Sequence, residues 1–354
     1  MPRRKVTQLS LLSHGFLFTV LMTPFPTRRY IDGIDVDISQ RLADLERRVN
    51  CELEDLCCIE ARLATDGCCG WIASADYLHW TVRQAGAQYG ITDIGGVQDR
   101  GAVGNVLAIG GNYEPGYRFT LGKRFANGVD ITGKFTDFDS SATETRAGSI
   151  RSVFVSSDNS ENNDSDGAIN DITPDDRATG VTATMDFDIN TYDLEIGQNL
   201  IASDAMTLRV HAAGRFADIN QRFGVTYTGG DFQAPFSPFQ ETDYQGGGLL
   251  FGAESRWYVT ERFTLNVGLS GGMMIGSVDT RTFIPDDEPG VPTDVSYSET
   301  RVTPIIEANV GVNYQRDWGR WKVNMAAGYE LSSWFNLADS RVFTDSHMEG
   351  KTPT

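Results

Sequence analysis

The sequence predicts an all-β protein, an antiparallel transmembrane β-barrel of about 10 strands that is preceded by a helical coiled-coil segment. Three observations predict this fold. Apolar and polar residues alternate along runs of about ten residues, short and long connections alternate between these runs, and aromatic residues cluster at their ends. Beyond the N-terminus the 354-residue chain has no run of about 18 apolar residues, so strands rather than helices would cross a membrane.

The charge of the chain narrows the partners that it can bind. It has 30 Lys and Arg residues against 48 Asp and Glu residues, which gives a formal net charge of -18. This balance argues against a nucleic-acid partner, because binding through counterion release needs a basic surface. Outer-membrane lipid is the partner that a barrel of this kind implies.

Residues 1–27 have the features of a secretory signal peptide. Basic residues at positions 3–5 precede a mostly apolar run from Leu9 to Met22. The stretch from Thr23 to Thr27 offers no Ala-x-Ala cleavage site. A segment that escapes cleavage and stays as an anchor is therefore the alternative.

Residues 34–66 carry a heptad pattern that predicts a coiled-coil helix. Apolar residues recur there at spacings of three and four, and charged residues fill the other faces. The residues of this seam are Ile38, Leu42, Leu45, Val49, Leu56, Ile59 and Leu63. The narrow seam predicts a homo-oligomer that forms through this segment, and a single amphipathic helix packed on the body of the protein is the alternative.

All five cysteines of the chain lie in or just after this segment. They are Cys51, Cys57, Cys58, Cys68 and Cys69. Vicinal pairs do not suit zinc, whose ligand pairs are usually two to four residues apart. An odd number of cysteines in an exported protein favours disulfides between copies, with free thiols as the alternative.

Residues 71–335 form the predicted barrel, and residues 336–354 form a polar tail. In Phe263–Ile275, for example, the odd positions are mostly apolar and the even positions are mostly small or polar, as in a strand between lipid and lumen. Nine such strands are predicted, over 71–84, 116–125, 129–138, 181–201, 206–219, 245–258, 263–276, 302–314 and 321–334.

Short turns and long loops alternate between these strands. Ala126–Gly128 contains an Asn-Gly hairpin signal, whereas 85–115, 139–180, 220–244 and 277–301 are long polar stretches. Tight turns at one end and long loops at the other are typical of outer-membrane barrels. A soluble β-sandwich is the alternative, but it does not predict long strands with such strict alternation.

Several segments resemble the Legionella-type major outer membrane protein family. They are Ala75–Trp80, Asn112–Gly122, Tyr192–Gly197, Leu208–Ile219 and Gly328–Phe335, in the order in which the family has them. The resemblance covers about residues 71–335 and rests on that order rather than on any single motif. It implies a pore-forming, porin-like barrel in the outer membrane of a Gram-negative-type bacterium.

The end of the chain departs from that family. Its members close the barrel with a last strand near the C-terminus, usually ending on an aromatic residue, whereas Asn336–Thr354 is polar. Nine strands is also an odd number, and bacterial single-chain barrels use even numbers. We therefore expect either that the closing strand is missing, through truncation or a frameshift, or that Ser149–Ser157 supplies a tenth strand.

Charged residues on the polar side of the strands are the candidate functional residues. Such charges are costly against lipid, so we expect them to face the lumen. They are Arg118, Arg124, Lys134, Arg209, His211, Arg215, Glu254, Arg256, Glu307, Lys322 and Glu330. We expect no catalytic set and no cofactor, because the sequence has no Gly-x-Ser-x-Gly motif and no phosphate-binding loop. We expect no metal site either, because Asn162–Gly167 only partly matches a calcium loop.

These patterns are compatible with two functions. The first is a porin-like diffusion pore for small solutes or ions, whose selectivity the lumen charges would tune. The alternative is a non-conducting structural or adhesive protein of the outer-membrane surface. An outer-membrane enzyme is a more distant alternative, because the sequence offers no Ser/His/Asp set at the barrel rim.

Overall fold

The structure is a computed structural model that describes residues 8–13, 70–92, 104–154, 177–285 and 292–337, apart from 126, 204, 231, 319 and 320. Several predicted features lie outside the described residues. These are the coiled coil over 34–66, the five cysteines, the segment 162–167, most of the signal peptide over 1–27, and the polar tail beyond 337.

The described chain consists of β-strands. They are β1 (Gln8–Ser13), β2 (Gly70–Gln84), β3 (Gln88–Thr92), β4 (Val106–Ala108), β5 (Glu114–Arg124), β6 (Val129–Arg151), β7 (Arg177–Ala202), β8 (Met206–Gly229), β9 (Phe232–Phe236), β10 (Phe239–Tyr258), β11 (Phe263–Ile284), β12 (Thr293–Trp318) and β13 (Trp321–Phe335). Within these residues, no helix is long and apolar enough to cross a membrane.

Antiparallel pairing joins ten of these strands into a ring. The order is β6, β5, β2, β1, β13, β12, β11, β10, β8 and β7, and β7 pairs with β6 to complete the circle. The remaining strands β3, β4 and β9 are short additions, with β3 on β6 and β9 on β8. The predicted all-β antiparallel fold is thus confirmed, and each of the nine long strands overlaps one of the nine predicted strands.

The tenth strand comes from the beginning of the chain. Gln8–Ser13 pairs with both β2 and β13, so that Leu12 lies opposite Thr81 on one side and Leu331 on the other. The expectation that the closing strand is missing is therefore corrected. Ser149–Ser157 does not supply it either, because β6 simply continues to Arg151.

The tight turn between β5 and β6 forms where its sequence predicts. Gly128 has a φ of 79°, a left-handed conformation that glycine adopts without strain. The Asn127 side-chain oxygen accepts a hydrogen bond from the Val129 amide at 3.2 Å. These contacts reverse the chain in three residues and fix the register of the two strands.

The polarity of the wall reverses along the longest strands, as β7 and β8 show. On β8 the outer residues are apolar up to Phe216 and polar from Asp218 onward, while the inner residues are mainly polar up to Arg215 and mainly apolar from Ala217. On β7 the same change falls between Tyr192 and Asn190. We call the part with the apolar outer face the turn half, because it adjoins the short turns, and the other part the loop half.

The two halves match two different surroundings. On β8 the turn half runs from Met206 to Phe216, 11 residues, which is the length that a tilted strand needs to cross the hydrocarbon core. Its outer face carries exposed apolar side chains such as Leu194 and Leu249. The loop half has a polar outer face and an apolar interior, which is the pattern of a strand in water.

Candidate functional site in the barrel lumen

Strand alternation places the predicted charged residues inside the turn half. The inner face carries Arg118, Arg124, Lys134, Arg209, His211, Arg215, Glu254, Arg256, Glu307 and Glu330. The side chain of Lys322 lies outside the described part of the structure, although its backbone belongs to β13. The structure thus brings the described members of this set to one lumen, where most of them belong to three ion-pair clusters.

The first cluster centres on Arg209. Its guanidinium donates hydrogen bonds to Asp130 and, at 2.6 Å, to Glu195, and it lies 3.6 Å from Glu254. Lys134 binds Glu195 at 2.6 Å from the opposite side. These residues come from β6, β7, β8 and β10, so the cluster ties four neighbouring strands together on the inside.

The second cluster centres on Arg215 and crosses the lumen. Its guanidinium binds Asp193 on the adjacent strand at 2.6 and 2.8 Å, and it also donates to Glu307 on β12. Ser270 and Ser332 donate to the same Glu307 carboxylate at 3.2 and 3.3 Å. Because β8 and β12 are three positions apart in the ring, this contact is a bridge across the barrel rather than along its wall.

The third cluster joins Arg118 on β5 to Glu330 on β13. The guanidinium donates to both carboxylate oxygens, at 2.9 and 3.2 Å, and to Thr136 at 3.1 Å. It also lies 5.3 Å from the ring centre of Trp80, within the range of a cation–π contact. This cluster is a second bridge between strands that do not pair with each other.

Burial makes these pairs interdependent. The Arg209 side chain is 9% exposed, and the side chains of Asp130 and Glu195 are 1% and 4% exposed. Removing one partner of such a pair leaves an uncompensated buried charge, which typically costs about 3–5 kcal/mol. The clusters therefore hold the lumen in one arrangement.

Three acidic members of these clusters are absent from the set that the sequence predicts. They are Asp130, Asp193 and Glu195, and each binds an arginine or lysine that belongs to that set. The signal is present in the sequence, because Asp130 has the parity of Lys134, and Asp193 and Glu195 flank the outward Leu194. The same strand parity, applied to every charged residue of these strands, would have identified them.

A cavity of about 260 Å³ lies among these clusters. Its lining includes charges of both signs, such as Lys134 and Glu254, together with the amide of Asn266. Within the described residues, the buried atoms His211 Nδ1 and Asn266 Oδ1 have no protein partner. A polar cavity of this size with unpaired hydrogen-bonding atoms is suited to ordered water. No group of three or more described His, Cys, Asp or Glu side chains is arranged to hold a metal ion.

The lumen of the loop half is filled by apolar side chains. All of the following are buried: Leu78, Trp80, Val82, Phe138, Met185, Phe187, Ile189, Ile219, Phe223, Val225, Tyr227, Tyr244, Met274, Val278, Ile305 and Trp334. Gln221 donates a hydrogen bond across this space to Gln84, joining β8 to β2. The interior here is packed like the core of a soluble protein.

The short strands β9 and β3 cover the outer end of this core. β9 folds back along β8. Its Phe232 stacks on Tyr227 at a ring distance of 5.6 Å, and its Phe236 packs against Tyr227 in a tilted arrangement at 6.1 Å. The Tyr227 hydroxyl donates to the backbone oxygen of Tyr89 on β3 at 2.7 Å. Burial raises the pKa of this Tyr227 hydroxyl to about 12, in keeping with its position inside the mouth.

Comparison with known proteins agrees with this geometry. Residues 69–352 match the family described as Legionella pneumophila major outer membrane protein precursor. Among solved structures, the outer membrane protease OmpT from Escherichia coli is similar over 94% of this chain and 95% of that chain, with 7% sequence identity and a TM-score of 0.27. A TM-score this low adds nothing to the fold, which the strand pairings establish. Among curated proteins, none matches the chain.

Proposed function

The chain belongs to the Legionella major outer membrane protein family and lies in the outer membrane, and on that premise we propose that its barrel is a non-conducting scaffold. The scaffold holds long acidic loops at the cell surface. The segment 152–176 between β6 and β7 alone has seven Asp and Glu residues and no Lys or Arg residue. Such loops are where outer-membrane barrels meet the outside of the cell.

One observation carries this proposal: the lumen of the loop half is packed with buried apolar side chains. Leu78, Phe138 and Tyr227 are each no more than 1% exposed, although they point to the inside of the barrel. Buried apolar side chains on the lumen side oppose the passage of ions, because an ion there would lose its hydration without gaining polar partners. A ten-stranded ring is also narrower than the 16-stranded porins that keep an aqueous channel.

The ion-pair bridges support the same function in the turn half. Arg215 to Glu307 and Arg118 to Glu330 each join strands on different sides of the lumen. An ion that entered the turn half would have to separate a bridge and expose buried charges. This arrangement favours a rigid wall over an open passage.

Planar-bilayer recording of the purified full chain tests the proposal. We expect no single-channel steps from the wild type. The double variant Trp80→Ala, Trp334→Ala removes two rings between the charged and apolar layers, and we expect it to raise the leak without changing the circular-dichroism spectrum. Regular steps from the wild type, of uniform size across reconstitutions, would contradict the scaffold function.

A diffusion pore for small ions is the second candidate function, and the charged cavity of the turn half favours it. That cavity, of about 260 Å³, is lined by residues of both signs and by unpaired polar atoms. If the pore conducts, the bridge between Arg215 and Glu307 lies across its polar section. Glu307→Gln would then increase the conductance and lower the preference for cations, whereas the scaffold function predicts no current from either form.

We further propose that copies associate through the heptad segment and its cysteines. The apolar seam from Ile38 to Leu63 supports this, together with the confinement of all five cysteines to 51–69. Replacing Leu45 and Leu56 by Asp should dissolve the oligomer under reducing conditions. A chain that remains monomeric without those substitutions would contradict the association.

A further inference from the structure

Among the described residues of strands β2, β5, β6 and β7, one charged side chain lies on the outer face of the turn half. It is Lys123 of β5, whose odd-numbered positions point outward, as the exposed Phe119 and Leu121 show. Its neighbours across the wall are Trp71 on β2 and Ile131 on β6. A lysine on the lipid face of a barrel is costly at the midplane of the bilayer and tolerated near its surface. Its amine therefore has to lie near that surface.

The Lys123 amine points towards the short turn that follows β5. Its Nζ lies 5.7 Å from the ring centre of Phe125 and 5.8 Å from that of Trp71. Phe125 is tied to the turn, because its amide donates to the Val129 oxygen at 2.8 Å and its own oxygen accepts from the Gly128 amide at 3.0 Å. Strands leave the hydrocarbon at their turns, so the amine and the two rings lie at the level of the lipid head groups.

No carboxylate of the described residues forms an ion pair with Lys123, whereas Lys134 and Arg209 in the lumen each bind one. The two aromatic rings attract the charge of the ammonium group without neutralising it. The three N–H donors of that group are suited to oxygen atoms. Lys123 thus presents an uncompensated positive charge to the surface of the bilayer.

An apolar strip leads from this amine towards the middle of the bilayer. Leu121 precedes Lys123 on the same face of β5, and Ile131 and Ile196 pair with each other on β6 and β7. All three apolar side chains are exposed on the outside of the wall. An anion bound at the amine could therefore have acyl chains that lie along this strip.

We propose that Lys123, Trp71 and Phe125 form a binding site for a phospholipid with one phosphate and no positive charge in its head group, such as phosphatidylglycerol. The short turns of outer-membrane barrels face the periplasm, so the site belongs to the periplasmic leaflet. The ammonium group donates hydrogen bonds to the phosphate oxygens, and the acyl chains lie along Leu121 and Ile131.

Charge selects this class of lipid. The site has one cation, which one anionic phosphate neutralises. A zwitterionic head group already carries its own ammonium group, so its phosphate gains less from Lys123. Because the site lies on the outside of the wall, it does not depend on whether the lumen conducts.

Native mass spectrometry of the purified, folded full chain measures which lipid is retained. The protein in detergent micelles is mixed with equal amounts of phosphatidylglycerol and phosphatidylethanolamine that have the same acyl chains. We expect the wild type to retain one molecule of phosphatidylglycerol in preference. Lys123→Gln should lower that retention about fivefold, which corresponds to the ~1 kcal/mol that one lysine contributes at an anionic surface, and Lys123→Arg should restore it. Equal retention of the two lipids by the wild type would overturn the proposal.

Arg262→Gln is the matched control. Arg262 is exposed in the short turn between β10 and β11, so it removes one positive charge at the same end of the barrel but outside the site. We expect this variant to retain phosphatidylglycerol as the wild type does. A loss equal to that of Lys123→Gln would show that net charge alone attracts the lipid, and it would refute the site. All variants should keep the heat-modifiable folded form, since Lys123→Gln only removes a charge from the lipid side.

Two further comparisons separate a lipid site from a site for any anion. Trp71→Leu keeps the apolar surface but removes the ring, and we expect retention to fall about twofold or more, because the cation–π contact is lost. Glycerol phosphate carries the same phosphate without acyl chains, and we expect an excess of it to leave the bound lipid in place. Unchanged retention in Trp71→Leu, or displacement of the lipid by glycerol phosphate, would contradict the proposed site.

Discussion

The turn half and the loop half are built from the same strands, yet their faces are exchanged. In the turn half, Leu249 is 61% exposed on the outside while Arg209 is buried in the lumen. In the loop half, Asp218 lies on the outside while Phe138 is buried in the lumen. The surroundings, lipid or water, therefore decide which face is apolar, and one register serves both surroundings when the sequence changes its polarity at one level.

Two phenylalanines on neighbouring strands give the largest expected contrast. Phe138 of the loop half is fully buried in the lumen, whereas Phe119 of the turn half is 54% exposed towards lipid. Phe138→Ala leaves a cavity in a packed core and should lower the free energy of unfolding by about 3–5 kcal/mol. Phe119→Ala should cost much less, because lipid fills the space. Urea unfolding in liposomes measures both, and equal losses would break the comparison.

An arginine scan along the outside of β10 gives the next largest effect. Leu249→Arg puts a charge into the lipid band and should destabilise the folded barrel by about 2–4 kcal/mol. Asp243→Arg, on the same face but in the loop half, should be neutral or stabilising, because it meets water and the acidic neighbours Glu241 and Asp279. A similar loss of folded protein in both variants would show that lipid also reaches the loop half.

The tyrosine at the mouth gives a smaller effect. Tyr227→Phe removes the hydrogen bond to the Tyr89 backbone oxygen but keeps the ring stack with Phe232. We expect the free energy of unfolding to fall by about 1 kcal/mol, the usual net value of such a bond. Tyr192→Phe, on the exposed face of the turn half, is the matched control and should change stability by less.

The acidic outer face of the loop half predicts a small dependence on pH. Partial burial, and then the charges of Asp139, Asp137 and Asp218, raise the pKa of Asp188. The folded state therefore binds the proton more tightly than the unfolded state. The stabilisation that protonation of Asp188 gives the fold is complete below the unfolded pKa near 4, and it is lost as pH rises through the folded pKa. Asp188→Asn should raise the unfolding temperature slightly at pH 7 and leave it unchanged near pH 3. An unfolding temperature that rises near pH 3 and stays unchanged at pH 7 would contradict the repulsion between these outward-facing carboxylates.

Much of this architecture follows from the sequence, because alternation is a local property. Period-two patterns predict the nine long strands and the inward position of Arg118 and Arg215, and the Asn127-Gly128 pair predicts its turn. The apolar interior of the loop half was not predicted. The change of the outer face of β8 from apolar at Phe216 to polar at Asp218 is nevertheless visible in the sequence. A pore and a non-conducting barrel remain alternatives at the level of sequence, because strand parity gives the direction of a side chain but not how completely the interior is filled.

Pairing across the lumen could not be predicted from sequence. Arg215 meets Glu307 only because the sheet curls and brings β8 and β12, three positions apart, to face each other across one narrow space. The strand Gln8–Ser13 was missed for a different reason. A basic stretch before an apolar run is also the pattern of a leader, and composition does not separate the two.

The level at which lipid gives way to water on β8 is the best test of the exchange of apolar and polar faces between the two halves. Single cysteines at Val210, Ala212, Phe216, Asp218 and Asn220, in a chain without the native cysteines, would be labelled with an environment-sensitive fluorophore in liposomes. These five positions share the outer face. The exchange of faces predicts lipid-like emission up to Phe216 and water-like emission from Asp218 onward. Lipid-like emission that continues through Asp218 and Asn220 would contradict it.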